Sequence, residues 1–142
     1  MRVSSRRVVI ASLGLLIAML TFSAPFVYAV GVVATVSVGS EPCAVAYDSG
    51  KGEIFVGIDG AGTLSVISDT TNAVVATVSV GSVPCALAYD SGKGEVFVAN
   101  DLSNTLSVIS DTTNAVVATV SVVANPYAVA YDSGKGEVFV VE

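Results

Sequence analysis

An all-β fold made of repeated four-stranded antiparallel units is the class the sequence predicts, on three observations. The first is a repeat. Pro42, Pro84 and Pro126 recur at a step of 42 residues, as do Tyr47, Tyr89 and Tyr131, and Lys51, Lys93 and Lys135, with no insertion or deletion. Self-similarity at that period marks solenoids, propellers and repeat arrays. The second is composition within one period. Four runs rich in Val, Ile, Thr, Phe and Tyr are separated by turns of Gly, Asn, Asp and Ser about every ten residues. The third is that these runs are apolar on both faces, as in Val96-Phe97-Val98, which is how sheets covered on both sides read. Together they describe blades of an incomplete β-propeller packed face to face, about 2.75 blades in all. A flat stacked solenoid is the alternative. Tandem sandwiches fail, since one such unit is too small to hold its own core.

Taken in order, residues 1–29 read as a signal helix. Arg2, Arg6 and Arg7 form a positive start, Val8 to Phe22 is mostly apolar, and Val27-Tyr28-Ala29 ends in small residues suited to cleavage. The apolar run is shorter than the roughly 20 residues of a membrane span, yet an uncleaved anchor, the one route to a membrane, is the competing reading. Ser5-Arg6-Arg7 before Val8 also resembles a twin-arginine signal. The partial propeller then occupies 30–142. Residues 32–38 read as a fourth strand, full repeats follow at 43–84 and 85–126, and 127–142 supplies strands one and two of another. In the second repeat the runs are Cys85 to Asp90, Glu95 to Asn100, Thr105 to Ser110 and Ala115 to Val122. Such an arc leaves blade faces open. A fragment of a longer gene, a subunit that closes a ring with its own copies, and a free-standing short stack are the three explanations.

Composition narrows the chemistry. With the leader and its three arginines removed, three lysines face twelve carboxylates, a balance of −9. That surface repels phosphate backbones and argues against nucleic acid as a partner. The chain has no His and no Trp, so a Ser-His-Asp triad and a His-based metal site are absent. Asp48, Glu53, Asp90, Glu95, Asp132 and Glu137 flank Ser-Gly-Lys-Gly loops. A hairpin turn, with Asp bonding nearby amides and Gly supplying positive φ, explains them better than acid–base or Ca²⁺ chemistry. Gly57 to Gly62 lacks the spacing of a nucleotide-binding loop. No cofactor is expected. Cys43 and Cys85 fill one slot of successive repeats, Tyr127 the third; they read either as small buried apolar residues or as a bridge.

These residues resemble the YVTN-repeat β-propellers, exported bacterial and archaeal proteins described as surface-layer-related. The family's elements appear as Phe97-Val98-Ala99-Asn100, Ser103-Asn104-Thr105, Leu106-Ser107-Val108-Ile109, Asp111-Thr112-Thr113-Asn114 and Val116 to Val122, and the likeness spans residues 32 to 142. The tetrapeptide itself departs in the other copies, Phe55-Val56-Gly57-Ile58 and Phe139-Val140-Val141-Glu142. The resemblance implies a propeller and export to the cell surface or periplasm. It implies no catalytic residue, because the family is defined by its fold and repeat.

Function is sought in the difference between copies. Ten positions differ between 43–84 and 85–126. Two are aliphatic swaps, Val45 for Leu87 and Ile54 for Val96. The rest fall in the loop joining strands two and three and in the loop leading to the next blade. In an up-down-up-down blade both emerge at one end, and loops on a rigid scaffold commonly bind. Asp59, Asn100, Asp101, Ser103 and Asn104, with Ser40, Glu41, Ser82 and Asn125, are the candidate binding residues. The expectation is an exported, non-catalytic binding or structural module. Its partners are other blades, copies of itself, or a cell-surface protein or glycan. The alternative is the propeller portion of an enzyme whose active-site residues lie outside this chain.

Overall fold

A computed structural model describes residues 32–142; the leader expected over 1–29 lies outside them. Ten strands form three antiparallel sheets. The first joins β1 (Pro42–Asp48), β2 (Glu53–Ile58), β3 (Thr63–Ser68) and β4 (Ala73–Ser79) in sequence order. The second repeats this with β5 (Pro84–Asp90), β6 (Glu95–Asn100), β7 (Thr105–Ser110) and β8 (Ala115–Ser121). The third holds β9 (Ala128–Asp132) and β10 (Glu137–Val141).

Turn chemistry fixes the register. Asp48 Oδ1 accepts the amides of Gly50 at 2.7 Å and Lys51 at 3.1 Å, and Gly52, at φ +70°, donates its amide to the Asp48 carbonyl at 3.0 Å. Asp90 with Gly94 and Asp132 with Gly136 repeat the arrangement. At the strand three to four turn, Asn72 and Asn114 take positive φ, a conformation Asn tolerates. Pro42 and Pro84 open the innermost strands, where no ladder needs their missing amide.

The sheets stack like fanned cards. β1 lies beside β5 and β5 beside β9, whereas β4 and β8 barely meet. Strand alternation sends Val96 and Val98 back onto the first sheet, where they pack with Ile109 against Phe55, Leu64, Val66 and Val78. Phe97, Ala99, Leu106 and Val108 point forward to Val129, Val138 and Val140. This explains runs apolar on both faces: β6 and β7, the central strands of the second sheet, are core twice over. Burying each such side chain contributes about 1.5–3 kcal/mol. β8 is exposed throughout, because the third sheet has only two strands to lay against the second.

Two expectations are corrected. Residues 32–38 form no strand. No described strand pairs with them, and Val38 gives its carbonyl to Ser65 Oγ at 2.8 Å. The cysteines are neither buried nor bridged. Both thiols are free, Cys43 exposed and Cys85 half-buried. Each lies on an innermost strand and points at the next sheet, Cys43 Sγ at the Pro84 carbonyl (3.1 Å) and Cys85 Sγ at the Pro126 carbonyl (3.4 Å). The wider second gap matches the residue beside it. Gly57 has the Pro84 carbonyl directly over its Cα, where a methyl would collide, while the same slot in the second sheet holds Ala99.

Candidate functional site

The two ends of the blades are built differently. At the end where the copies agree, side chains clamp one blade to the next. Lys51 Nζ donates to the Asp111 carbonyl and pairs with Glu53 at 3.4 Å. The Asn114 amide, oriented to satisfy both neighbours, donates to Glu53 at 3.3 Å and to the Asp111 carbonyl at 3.2 Å. The Tyr89 hydroxyl stands between the Asp48 and Asp111 carboxylates. It has one proton, given to Asp111 Oδ2 at 3.2 Å, which leaves the buried Asp48 Oδ2 without a donor. Burial first, then Asp48 and Asp111, push the Tyr89 phenol well above its ordinary value.

At the opposite rim, 3₁₀ turns at Asp59–Ala61 and Asp101–Ser103 meet the connections between blades. The Asp59 amide donates to the Glu41 carbonyl (3.1 Å) and the Asp101 amide to the Val83 carbonyl (2.9 Å). Ser103 Oγ accepts the Ser82 amide at 2.7 Å, and Asn104 Oδ1 accepts the Asn125 amide at 2.8 Å. Asn125 Nδ2 donates to Asp101 Oδ1 at 3.1 Å.

The rim therefore gathers the residues named from sequence, with one correction. Ser40, Glu41, Ser82, Asn104 and Asn125 are exposed, and Asp59, Asp101 and Ser103 half-buried. Asn100 is fully buried and cannot face a ligand. Its amide nitrogen donates to Thr105 Oγ1 at 3.1 Å and Ser107 Oγ at 2.9 Å, tying β6 to β7. Gly81 passes so close that a methyl there would lie 2.7 Å from the Asn100 Cβ.

Beside this network a cleft of about 350 Å³ opens between the first and second sheets. Ser79, Ser103, Thr105, Ser107 and Thr119 line it with hydroxyls, over Gly81 and Val116. Of these only Ser103 was named from sequence. The others are identical in both copies, so comparing copies passes over them; their one signal is hydroxyls alternating along β7 and β8. The lining carries no charge and suits a partner rich in hydroxyl or amide groups. Among the described residues no three metal-ligating side chains converge.

Residues 41, 83 and 125, each before a proline, all take positive φ. Glu41 and Asn125 are tolerable there, but Val83 at +57° is β-branched and strained. Val83→Asn is expected to stabilise the fold by about 1 kcal/mol. Thermal unfolding should move up by roughly 4–8 °C; an unchanged midpoint would show the strain is relieved elsewhere.

No family model matches the chain, and no curated protein matches it. Solved structures do. Kuenenia stuttgartiensis hydrazine synthase is 18% identical with a TM-score of 0.66, covering 70% of this chain and 28% of that one. Apo AztD from Citrobacter koseri is 15% identical with a TM-score of 0.59, covering 67% of this chain and 28% of that one. The Cps50 (Swd1) β-propeller domain of Myceliophteria thermophila is 12% identical with a TM-score of 0.56, covering 70% of this chain and 30% of that one. The chain spans less than a third of the length of each. At these identities the likeness shows the fold, and the fold is an incomplete β-propeller.

Proposed function

We propose that this is an exported, non-catalytic propeller module of the YVTN-repeat type, binding a cell-surface glycan or protein through its variable rim. The hydroxyl-lined cleft carries the reading, since it opens beside Ser103 and Gly81, two positions where the copies differ, and where side chains from adjacent blades meet. Neutral donors and acceptors spread over about 350 Å³ fit a polyhydroxylated ligand better than an ionic one. The leader-like residues 1–29 and the quoted repeat motifs support export, and the −9 balance disfavours nucleic acid. The lack of His supports a non-catalytic role.

The test is binding of purified protein to cell-wall and surface-glycan fractions. Ser103→Ala with Thr119→Ala removes two hydroxyls and should weaken binding about tenfold, at roughly 0.5–1.5 kcal/mol for each hydrogen bond. Binding untouched by these changes and by alanine at Asp59, Asp101, Asn104 and Asn125 would sink the proposal. Stoichiometric metal in the purified protein would instead favour the enzyme reading.

A further inference from the structure

The floor of the cleft between the first and second sheets has its hydrogen-bond polarity set from behind, by Asn100. Thr105 and Ser107 stand on one face of β7 and line the cleft. Asn100 Nδ2 has two protons, and it gives one to Thr105 Oγ1 at 3.1 Å and the other to Ser107 Oγ at 2.9 Å. Each hydroxyl is thereby an acceptor toward Asn100 and keeps its own proton. Ser65, in the slot of Ser107 in the first sheet, gives that proton to the Val38 carbonyl at 2.8 Å. Among the described residues neither Thr105 nor Ser107 has such an acceptor. The opposite amide orientation is worse, because it would bury two amide protons without partners. As oriented, one buried atom is left over, the Asn100 Oδ1.

Stability does not explain an amide at this place. Asn100 is 0% exposed, and its counterpart in the first sheet is Ile58, at 2%. The two close over equivalent glycines, Ile58 over Gly39 and Asn100 over Gly81. Isoleucine fills the slot with no polar atom, whereas Asn100 leaves a buried acceptor unpaired, which is a net cost. What Asn100 adds is the direction of two hydroxyls.

We propose that Asn100 is a positioning residue that makes the cleft a two-donor site for one neutral carbonyl oxygen, the acetamido oxygen of an N-acetylated surface glycan. The inference rests on the reading of the cleft as the binding site. A carbonyl oxygen can take both protons and brings none of its own. A sugar hydroxyl brings a further proton to a floor already rich in donors. A carboxylate would accept as well, but the −9 balance repels an anion. Val80 and Val116 line the same cleft and offer apolar surface to the acetyl methyl. Ser79 and Thr119, exposed on its walls, are left for the ring hydroxyls, which a peptide carbonyl would not supply.

Titration calorimetry of the full chain with chitotriose, cellotriose and acetyl-triglycine tests this. The two sugars differ in carrying an acetamido group or a hydroxyl at one ring carbon, and the peptide offers carbonyls without a sugar. Chitotriose should bind about tenfold more tightly than either of the others. Asn100→Asp keeps the shape but accepts both hydroxyl protons, so the preference for chitotriose over cellotriose should fall about fivefold. A merely structural role would weaken both sugars alike. Should the buried charge unfold that variant, Thr105→Val removes one donor at a half-buried site with little change of shape, and should lower the same ratio about threefold. Equal affinity for the two sugars, a ratio unmoved in either folded variant, or tighter binding of acetyl-triglycine would overturn the proposal. If surface-glycan fractions bind and chitotriose does not, this inference fails and the broader glycan reading stands. If the fractions fail as well, both fall.

Discussion

Phe55→Ala is expected to destabilise the fold by about 3–5 kcal/mol. The ring is completely buried between the first two sheets, among Leu64, Val66, Val96 and Ile109, and rigid strands on both sides leave little room to collapse into the cavity. The repeat supplies its own control. Phe139 occupies the same slot with half its surface in water, and Phe139→Ala should cost less than about 1 kcal/mol in dilute, monomeric chain. Urea titration of the two variants measures the difference. Equal losses would mean that packing between blades is not what holds the arc together.

Asp90→Ala should cost about 2–3 kcal/mol, since it removes a buried carboxylate that partners two turn amides. Asp90 Oδ1 accepts Gly92 at 2.7 Å and Lys93 at 3.1 Å, and the Tyr131 hydroxyl lies near the carboxylate. Burial alone would raise its pKa, but the Tyr131 hydroxyl, these two amides and the Lys93 charge outweigh it and hold it below the ordinary value. The sign follows. A carboxyl depressed in the folded state contributes stability above the unfolded value of about 3.9, and that stability is lost as pH falls through the folded value. The Tyr89 phenol acts in the opposite sense. Raised in the folded state, it contributes fully below about pH 10 and loses that contribution as pH climbs beyond. Stability measured against pH should therefore show an acid limb flattened by Asp90→Ala and an alkaline limb flattened by Tyr89→Phe. An unchanged acid limb in the first variant would show that other carboxylates govern acid unfolding.

Much of the fold was legible because each repeat carries its own turn chemistry. Asp48 and Gly52 dictate a hairpin wherever they stand, and doubly apolar strands announce sheets on both sides. What depends on a neighbour was not legible. Residues 32–38 have the text of a strand and no partner among the described residues. Asn100 reads as a loop residue, yet Gly81, nineteen positions earlier, closes over it. The agreement of the Ser-Gly-Lys-Gly and Asp-Thr-Thr-Asn loops reads as turn chemistry alone. In space it is also a clamp, because Lys51 and Asp111 meet only when two blades stack. The cleft was hidden for the converse reason: hydroxyls present in both copies leave no trace in their difference.

Gly57 and Ala99, which fill one slot of successive sheets against the next sheet's innermost strand, act as shims of different thickness. The thiol-to-carbonyl gap beside it opens from 3.1 to 3.4 Å with one added methyl. Spacing blades apart at their inner edges while their outer edges stay put lowers the curvature of the arc. The size of one side chain per repeat thereby bears on how sharply the arc turns.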